Sequence, residues 1–314
     1  MKASILLALA LAAALPAHSH ARNAAPAPAG NRYAATIAPA ERFEVEGMLV
    51  ERHGQRGRPL VLVPGLASGP WVWQEVIRQF AGEHTLYVVT LPGFDGRPAP
   101  APGAHPFEAA RAALKELVSS RRLERPVLVG HSMGGALALA LGADLGDRIG
   151  GIVSVDGLPV FPGTEDMPPA QRPQMAAGVQ ARLMAGRPEA WAEQQRQYLR
   201  GQGVLDIGKA DDLTPLLLRS DRAAVGAYMA DLLALDLRPE LGRIAAPVLV
   251  LVPYFEPDAM QQGLGVDAKV EHYRSLLPGI RQLEAVPVVP ARHFLMFDQP
   301  QVLADTLRRF LNRR

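Results

Sequence analysis

The stretch that decides the fold reads Pro126-Val127-Leu128-Val129-Gly130-His131-Ser132-Met133-Gly134-Gly135 and continues as Ala-Leu-Ala-Leu-Ala-Leu. The short apolar run rich in valine predicts a buried strand, and the tract of alanine and leucine predicts a helix. A glycine, a serine and two more glycines stand near the junction. This spacing predicts a strand that turns abruptly into a helix, with Ser132 at the apex of the turn.

Ser132 occupies a turn position that pushes its side chain outward. The strained backbone at such an apex leaves no room for bulk two residues before and after it, and Gly130 and Gly134 meet that need. The N–H of Met133 falls in the first turn of the predicted helix, where it has no intrahelical acceptor and lies at the positive end of the helix dipole. An exposed hydroxyl beside such a donor indicates a nucleophile next to half of an oxyanion hole.

Composition limits the classes of function. The chain has 314 residues, of which 48% are hydrophobic and 20% are charged, so it can build a large folded core. A formal net charge of +2 argues against a nucleic acid partner. The absence of cysteine excludes disulfides, thiolate zinc sites and a cysteine nucleophile.

The N-terminus has the layout of a secretory signal peptide. A lysine precedes an apolar run over residues 3–15, and small residues follow. We expect residues 1–21 to be removed by cleavage after Ala21, or earlier after Ala17. The run is too short for a bilayer core, so we expect an exported protein, periplasmic or secreted, with no stable membrane anchor after processing. Residues 22–40, rich in alanine and proline, read as a flexible leader.

Strand and helix patterns alternate along most of the remaining chain. Predicted strands lie at residues 43–53 (an antiparallel pair), 60–63, 85–90, in the run before Gly130, and at 151–155, 247–252 and 282–289. Predicted helices lie at residues 71–80, 106–120, after Ser132, and at 268–277 and 299–311. The alternation predicts an α/β fold with a mostly parallel eight-stranded sheet and helices on both faces. The core would comprise residues 41–156 and 240–314.

Residues 157–239 interrupt this alternation. Strand-like runs disappear there, and helix-sized stretches rich in Gln, Arg, Met and Ala take their place. We expect a helical cap inserted after the sixth strand, over the carboxyl ends of the strands. Trp191 and Tyr198 are candidates to line an apolar pocket, or else to pack the cap onto the core.

With these features in place, the sequence resembles the α/β-hydrolase superfamily, in particular its capped serine hydrolases of the esterase type. The elbow GHSMGG matches the family's nucleophile motif at Ser132. The stretch Pro290-Ala291-Arg292-His293-Phe294-Leu295-Met296-Phe297-Asp298-Gln299-Pro300 looks like its histidine loop. The resemblance therefore implies Ser132 as nucleophile and His293 as general base.

The resemblance also implies an oxyanion hole built from two backbone N–H groups. Met133 supplies one of them. The loop after Val63 is similar to the family's second oxyanion segment, which assigns the other to Leu66. Here Pro64 stands where relatives usually carry a histidine, so the Leu66 donor depends on the loop keeping its shape.

Three carboxylates are candidates for the acid that orients His293. Most of the family places it after the seventh strand, where Asp258 and, less favourably, Glu256 are candidates. A minority places it after the sixth strand, where Asp156 ends the strand at residues 151–155. Both positions keep the chain order serine, acid, histidine. The sequence leaves Asp258 and Asp156 as equal alternatives, and Asp156 could instead only cap the turn into the insertion.

The resemblance implies hydrolysis of an ester or a related acyl compound through an acyl-enzyme on Ser132, with no metal and no organic cofactor. A small apolar acyl compound is the expected substrate. Serine at the apex argues against the branches that attack with aspartate. Lactonase, thioesterase, C–C bond hydrolase and perhydrolase activities would use the same residues. The alternative is a hydrolase-like binding protein with little or no turnover.

Overall fold

The computed structural model describes residues 31–260 and 263–313, and within them eight strands form one sheet. The strands are β1 Glu41–Val45, β2 Met48–His53, β3 Pro59–Val63, β4 Thr85–Thr90, β5 Val127–His131, β6 Gly151–Val155, β7 Val248–Pro253 and β8 Leu283–Val288. Their order across the sheet is β1-β2-β4-β3-β5-β6-β7-β8. β2 is antiparallel to both of its neighbours, and the other pairs are parallel. The predicted mostly parallel sheet of eight strands is confirmed.

Helices cover both faces of the sheet. Those outside the insertion are α1 Gln74–Phe80, α2 Pro106–Ser120, α3 Met133–Leu145, α8 Glu256–Met260, α9 Val266–Ser275, α10 Leu295–Asp298 and α11 Pro300–Leu311. Every residue of β5, β6 and β7 is buried, as continuous apolar runs in a doubly covered parallel sheet require. The sequence did not predict α8 and α10, because one turn of helix is too short to show a periodic pattern.

The segment predicted to be all-helical carries four α-helices between β6 and β7. They are α4 Arg172–Ala185, α5 Pro188–Tyr198, α6 Ile207–Leu217 and α7 Arg222–Ala234. Hydrogen bonds tie this insertion to loops at the carboxyl ends of strands. Ser220 Oγ donates to the carbonyl of Ala67 at 3.0 Å, and the N–H of Asp221 donates to the carbonyl of Gly93 at 2.7 Å. The insertion therefore lies over the edge of the sheet where parallel strands end.

The two tryptophans before α1 serve packing. Trp71 and Trp73 are both almost completely buried. The indole of Trp71 stacks on the rings of Phe294 and Phe297, with centroids 6.4 and 6.1 Å apart. This contact joins the loop after β3 to the chain segment that follows β8.

The predicted signal peptide at residues 1–21 and the first part of the leader lie outside the described residues. Among the helices that the structure describes, none is long and apolar enough to cross a membrane.

Candidate active site

Ser132 sits at the sharp turn between β5 and α3. Its backbone has φ 53° and ψ −119°, a strained conformation for a residue with a side chain. Its N–H donates to the carbonyl of Val155, the last residue of β6, at 2.9 Å. The elbow is thus bonded to the end of the neighbouring strand, and the predicted turn with serine at its apex is present.

Crowding around the elbow explains its glycines. A Cβ on Gly130 would lie 2.0 Å from the carbonyl oxygen of Gly134. A Cβ on Gly134 would lie 2.2 Å from the carbonyl oxygen of Val63. Real side chains do not approach backbone oxygens so closely, so both positions require glycine. The same crowding presses the elbow against the loop that follows β3.

That loop is the predicted second oxyanion segment. A Cβ on Gly65 would lie 3.1 Å from Ser132 Cβ, so the loop packs directly against Ser132 although Pro64 replaces the family's usual histidine. Leu66 follows Gly65 and is partly exposed. Met133 begins α3, where its N–H has no intrahelical acceptor. The structure brings both predicted donor residues beside Ser132, and their role as oxyanion donors stays a prediction.

His293 and Asp156 form a short hydrogen bond. The Nδ1 atom of His293 lies 2.5 Å from Oδ2 of Asp156, which follows directly after β6. A carboxylate can only accept, so Nδ1 carries a proton, and in the neutral imidazole the lone pair is then on Nε2. Asp156 has φ 52°, a second strained position in the site. Its N–H donates to the carbonyl of Leu251 in β7 at 3.0 Å, which fixes the strained residue in place.

Tyr273 in α9 holds the other oxygen of the same carboxylate. Its hydroxyl donates to Asp156 Oδ1 at 2.5 Å. Burial alone would raise the pKa of the Asp156 carboxyl, but attraction to His293 and the hydrogen bonds from His293 and Tyr273 bring that pKa below its ordinary value. Burial, and then the charge of Asp156, raise the pKa of Tyr273, so this hydroxyl stays a donor. Tyr273 was missed at the sequence level, because a tyrosine in an ordinary helix carries no signal.

The other two candidate acids lie elsewhere. Asp258 forms a bidentate ion pair with Arg292, with Oδ2 to Nε at 2.8 Å and Oδ1 to Nη2 at 2.9 Å. Glu256, in the first turn of α8, is exposed. The structure therefore brings Asp156 to His293 and uses Asp258 to hold a neighbouring arginine.

His131 lies beneath the site and is completely buried. Its Nε2 is 3.0 Å from the carbonyl oxygen of His293, so Nε2 carries the proton and donates. Burial, followed by the proximity of His293, lowers the pKa of His131 to about 3. His131 is therefore a neutral, buried residue that supports the backbone at His293.

A comparison with models of protein families matches residues 60–306 to the model described as the alpha/beta hydrolase family. The chain belongs to the alpha/beta hydrolase family. The match spans the strands from β3 to β8, the elbow and the His293 loop.

Relatives of this alpha/beta hydrolase include a protein named pimeloyl-[acyl-carrier protein] methyl ester esterase from Aeromonas hydrophila. It is 26% identical over 268 residues, which cover 83% of this chain and 98% of that protein. Among solved structures, an esterase from Thermogutta terrifontis has a TM-score of 0.68 at 22% identity, over 87% of this chain and 99% of that one. The enol-lactonase from Burkholderia xenovorans has a TM-score of 0.65 at 19% identity, over 87% of this chain and 100% of that one. These two structures share the fold.

The insertion of this alpha/beta hydrolase places an aromatic ring at the site. Tyr198, at the end of α5, lies edge-on to His293 with ring centroids 6.2 Å apart. Burial, and then the charge of Asp156, raise the pKa of Tyr198. Trp191, the other aromatic candidate, packs partly buried against the core. Among the described residues, no group of three or more His, Cys, Asp or Glu side chains is arranged to hold a metal ion.

Proposed function

We propose that this protein is a serine hydrolase that cleaves a carboxylic ester through an acyl-enzyme on Ser132. In this proposal His293 is the general base and Asp156 the acid. The observation that carries it is the hydrogen bond between His293 Nδ1 and Asp156 Oδ2, 2.5 Å long, beside a strained serine elbow. In the neutral imidazole this bond selects the tautomer with the lone pair on Nε2, which is the form in which histidine can accept a proton from serine.

Acylation uses these groups in order. His293 Nε2 takes the proton from Ser132 Oγ as that oxygen attacks the ester carbonyl carbon. The carbonyl oxygen becomes an oxyanion, which accepts hydrogen bonds from the N–H groups of Met133 and Leu66. The imidazolium is stabilised by Asp156. His293 then gives its proton to the alkoxide oxygen as the C–O bond breaks, and the alcohol leaves.

Deacylation repeats the cycle with water. His293 takes a proton from a water molecule, whose oxygen attacks the acyl carbon, and a second oxyanion forms in the same place. Collapse of this intermediate breaks the bond to Ser132 Oγ, which recovers its proton from His293. The products are a carboxylic acid and an alcohol, formed from one ester and one water molecule.

The insertion and the relatives support an acyl ester as the substrate. Tyr198 presents an apolar ring beside His293, which suits an apolar group on the ester. The Aeromonas relative is named as a methyl ester esterase, and it aligns over nearly its whole length. We therefore infer a small acyl ester as the substrate class.

Hydrolysis of 4-nitrophenyl butyrate tests the proposal. We expect a burst of nitrophenol equal to the enzyme concentration when deacylation is slower than acylation, and a butyryl adduct on Ser132 by mass spectrometry. Ser132→Ala and His293→Ala should each lose roughly 10³-fold or more in turnover, and the double variant should be no worse than either. Ser120→Ala, which changes an exposed serine on α2, is the control and should keep full activity.

Two results would contradict the proposal. Equal turnover in the wild type and Ser132→Ala would show that Ser132 is not the nucleophile. Binding of the ester without an adduct and without turnover would instead support a hydrolase-like binding protein.

A further inference from the structure

The backbone of His293 is held from both sides. Its N–H donates to the carbonyl of Gln202 in the insertion at 3.2 Å, and its carbonyl accepts from His131 Nε2 at 3.0 Å. The next N–H, that of Phe294, donates to the carbonyl of Gly203 at 2.8 Å. We call residues 199–205 the insertion turn and residues 290–298 the histidine loop. The insertion turn thus forms part of the support of the histidine.

Arg292 joins three parts of the chain at this point. Its Nη1 donates to the carbonyls of Arg200 and Val204 in the insertion turn, at 2.8 and 3.2 Å. Its Nε and Nη2 donate to the two oxygens of Asp258 in α8. The side chain of Arg292 is only 15% exposed, whereas that of its partner Asp258 is 39% exposed, and both sets of bonds are charge-assisted on the guanidinium side. One guanidinium therefore locks the histidine loop to α8 and to the insertion turn.

Asp298 closes the same loop from its other end. Its Oδ2 accepts from the N–H of Arg292 at 2.9 Å, and its Oδ1 accepts from the N–H of Leu205 at 3.0 Å. Arg292 precedes His293 in the chain, and Asp298 follows it. The histidine loop is consequently bonded to the insertion turn before, at and after the histidine.

We infer that the Arg292–Asp258 ion pair is a positioning device for His293, and that it couples the insertion turn to the catalytic base. This inference rests on the proposed function. Neither residue is in hydrogen-bond contact with Asp156 or His293 side-chain atoms, so both act through the backbone of the loop. Displacement of a catalytic group by about 1 Å can cost about 10²-fold in rate, so loss of the anchor has a measurable effect. Asp258 thus has a role near the base without being the acid.

The variants Asp258→Asn and Arg292→Lys test this inference. The first keeps the shape of the side chain and removes the charge that holds the guanidinium. The second keeps the positive charge, but an ammonium cannot reach two carbonyls and both carboxylate oxygens at once. For each variant we would measure kcat and KM with 4-nitrophenyl butyrate, the melting temperature, and the proton NMR signal of His293 Nδ1 in the free protein.

The pair between Arg111 in α2 and Asp144 in α3 offers a matched control. It is also bidentate, with Nε to Oδ2 at 2.8 Å and Nη2 to Oδ1 at 2.6 Å. The side chain of Arg111 is 13% exposed, close to the value for Arg292. Asp144 lies far along α3 from Ser132, roughly 18 Å at 1.5 Å per residue. Arg111 Nη2 also donates to Glu240 Oε2 at 2.9 Å, so Asp144→Asn removes one of two acidic partners of this arginine, and it reports what that loss does to stability away from the site.

We expect Asp258→Asn and Arg292→Lys to lower kcat by about 3- to 30-fold with KM within about twofold, in line with a misplaced base. Their His293 Nδ1 proton signal should shift or broaden. Asp144→Asn should leave kcat and that signal unchanged. If Asp258→Asn and Arg292→Lys only lower the melting temperature, as Asp144→Asn does, the inference is overturned. Absence of ester hydrolysis by the wild type would instead refute the proposed function, and the NMR comparison would still decide the role of the ion pair.

Discussion

Oδ2 of Asp156 lies 2.5 Å from Nδ1 of His293, although 137 positions separate the two residues in the chain. Asp156 follows β6, which is the direct neighbour of β5, the strand that leads into Ser132, whereas His293 follows β8 at the edge of the sheet. The histidine loop must therefore pass over the end of β7 to reach the carboxylate. Its bonds to the insertion turn and to His131 hold it in that position.

Asp156→Asn is expected to lower turnover at neutral pH by roughly 10²- to 10⁴-fold, because the amide keeps the shape but no longer fixes the Nδ1–H tautomer or stabilises the imidazolium. The measurement is kcat with a 4-nitrophenyl ester. Asp258→Asn should lose much less, in the range given above for a positioning residue.

The turnover of these two variants also tests the assignment of Asp156 as the acid. A larger loss in Asp258→Asn than in Asp156→Asn would reverse the assignment of the acid. Thermal unfolding of both proteins is needed as a control, since Asp156 is also a strained residue at the start of the insertion.

His131 should make stability depend on pH. An unfolded histidine has a pKa of about 6.5, whereas burial lowers the pKa of His131 in the folded protein to about 3. Between these values the unfolded chain binds more protons, so the free energy of unfolding falls as the pH falls. From pH 7 to pH 5 this one residue should account for a decrease of about 2 kcal/mol.

Urea unfolding at pH 7, 6 and 5 would measure this effect in the wild type and in His131→Gln. The variant has lower stability overall but lacks the titrating ring, so its stability should change less with pH. His53 and His84, whose pKa values burial also lowers, are present in both proteins and cancel in the comparison. Parallel pH dependences would show that His131 is not buried in the neutral form.

Gly134→Ala is expected to destabilise the protein by at least about 2 kcal/mol, because the new methyl group meets the backbone oxygen of Val63 in the sheet. Gly178→Ala is the matched control. Gly178 lies within α4 with open space around it, so alanine there should be neutral or should stabilise by up to about 1 kcal/mol. Thermal unfolding distinguishes the two cases, and similar melting temperatures for both variants would refute the packing argument at the elbow.

For localisation we propose export, on the pattern of residues 1–21. The mature protein should begin at Arg22, or at His18 if the earlier cut is used. N-terminal sequencing of the protein from periplasmic and culture fractions would identify the cleavage site. Recovery of the intact chain with Met1 from the cytoplasm would contradict the proposal.

The sequence by itself determined the elements that local patterns encode. Continuous apolar runs marked the buried strands, with bounds within a residue or two of those observed, and the glycine spacing marked the elbow at Ser132. The resemblance to the family identified the histidine loop, from its place after the last predicted strand and its acid-x-Pro ending at Asp298. Each of these signals depends on residues close together in the chain, so no knowledge of long-range contacts was needed.

The partner of His293 was decided only by the tertiary structure. Asp156 and Asp258 both follow strands that end at the same edge of the sheet, and strand order places both near the histidine. The difference arises from side chains distant in sequence: Tyr273 binds Asp156, and Arg292 binds Asp258. In the structure Tyr273 donates to one oxygen of Asp156 and His293 to the other, whereas Arg292 donates to both oxygens of Asp258. These hydrogen bonds join residues that are far apart in the chain, so a local sequence pattern could not predict which carboxylate bonds His293.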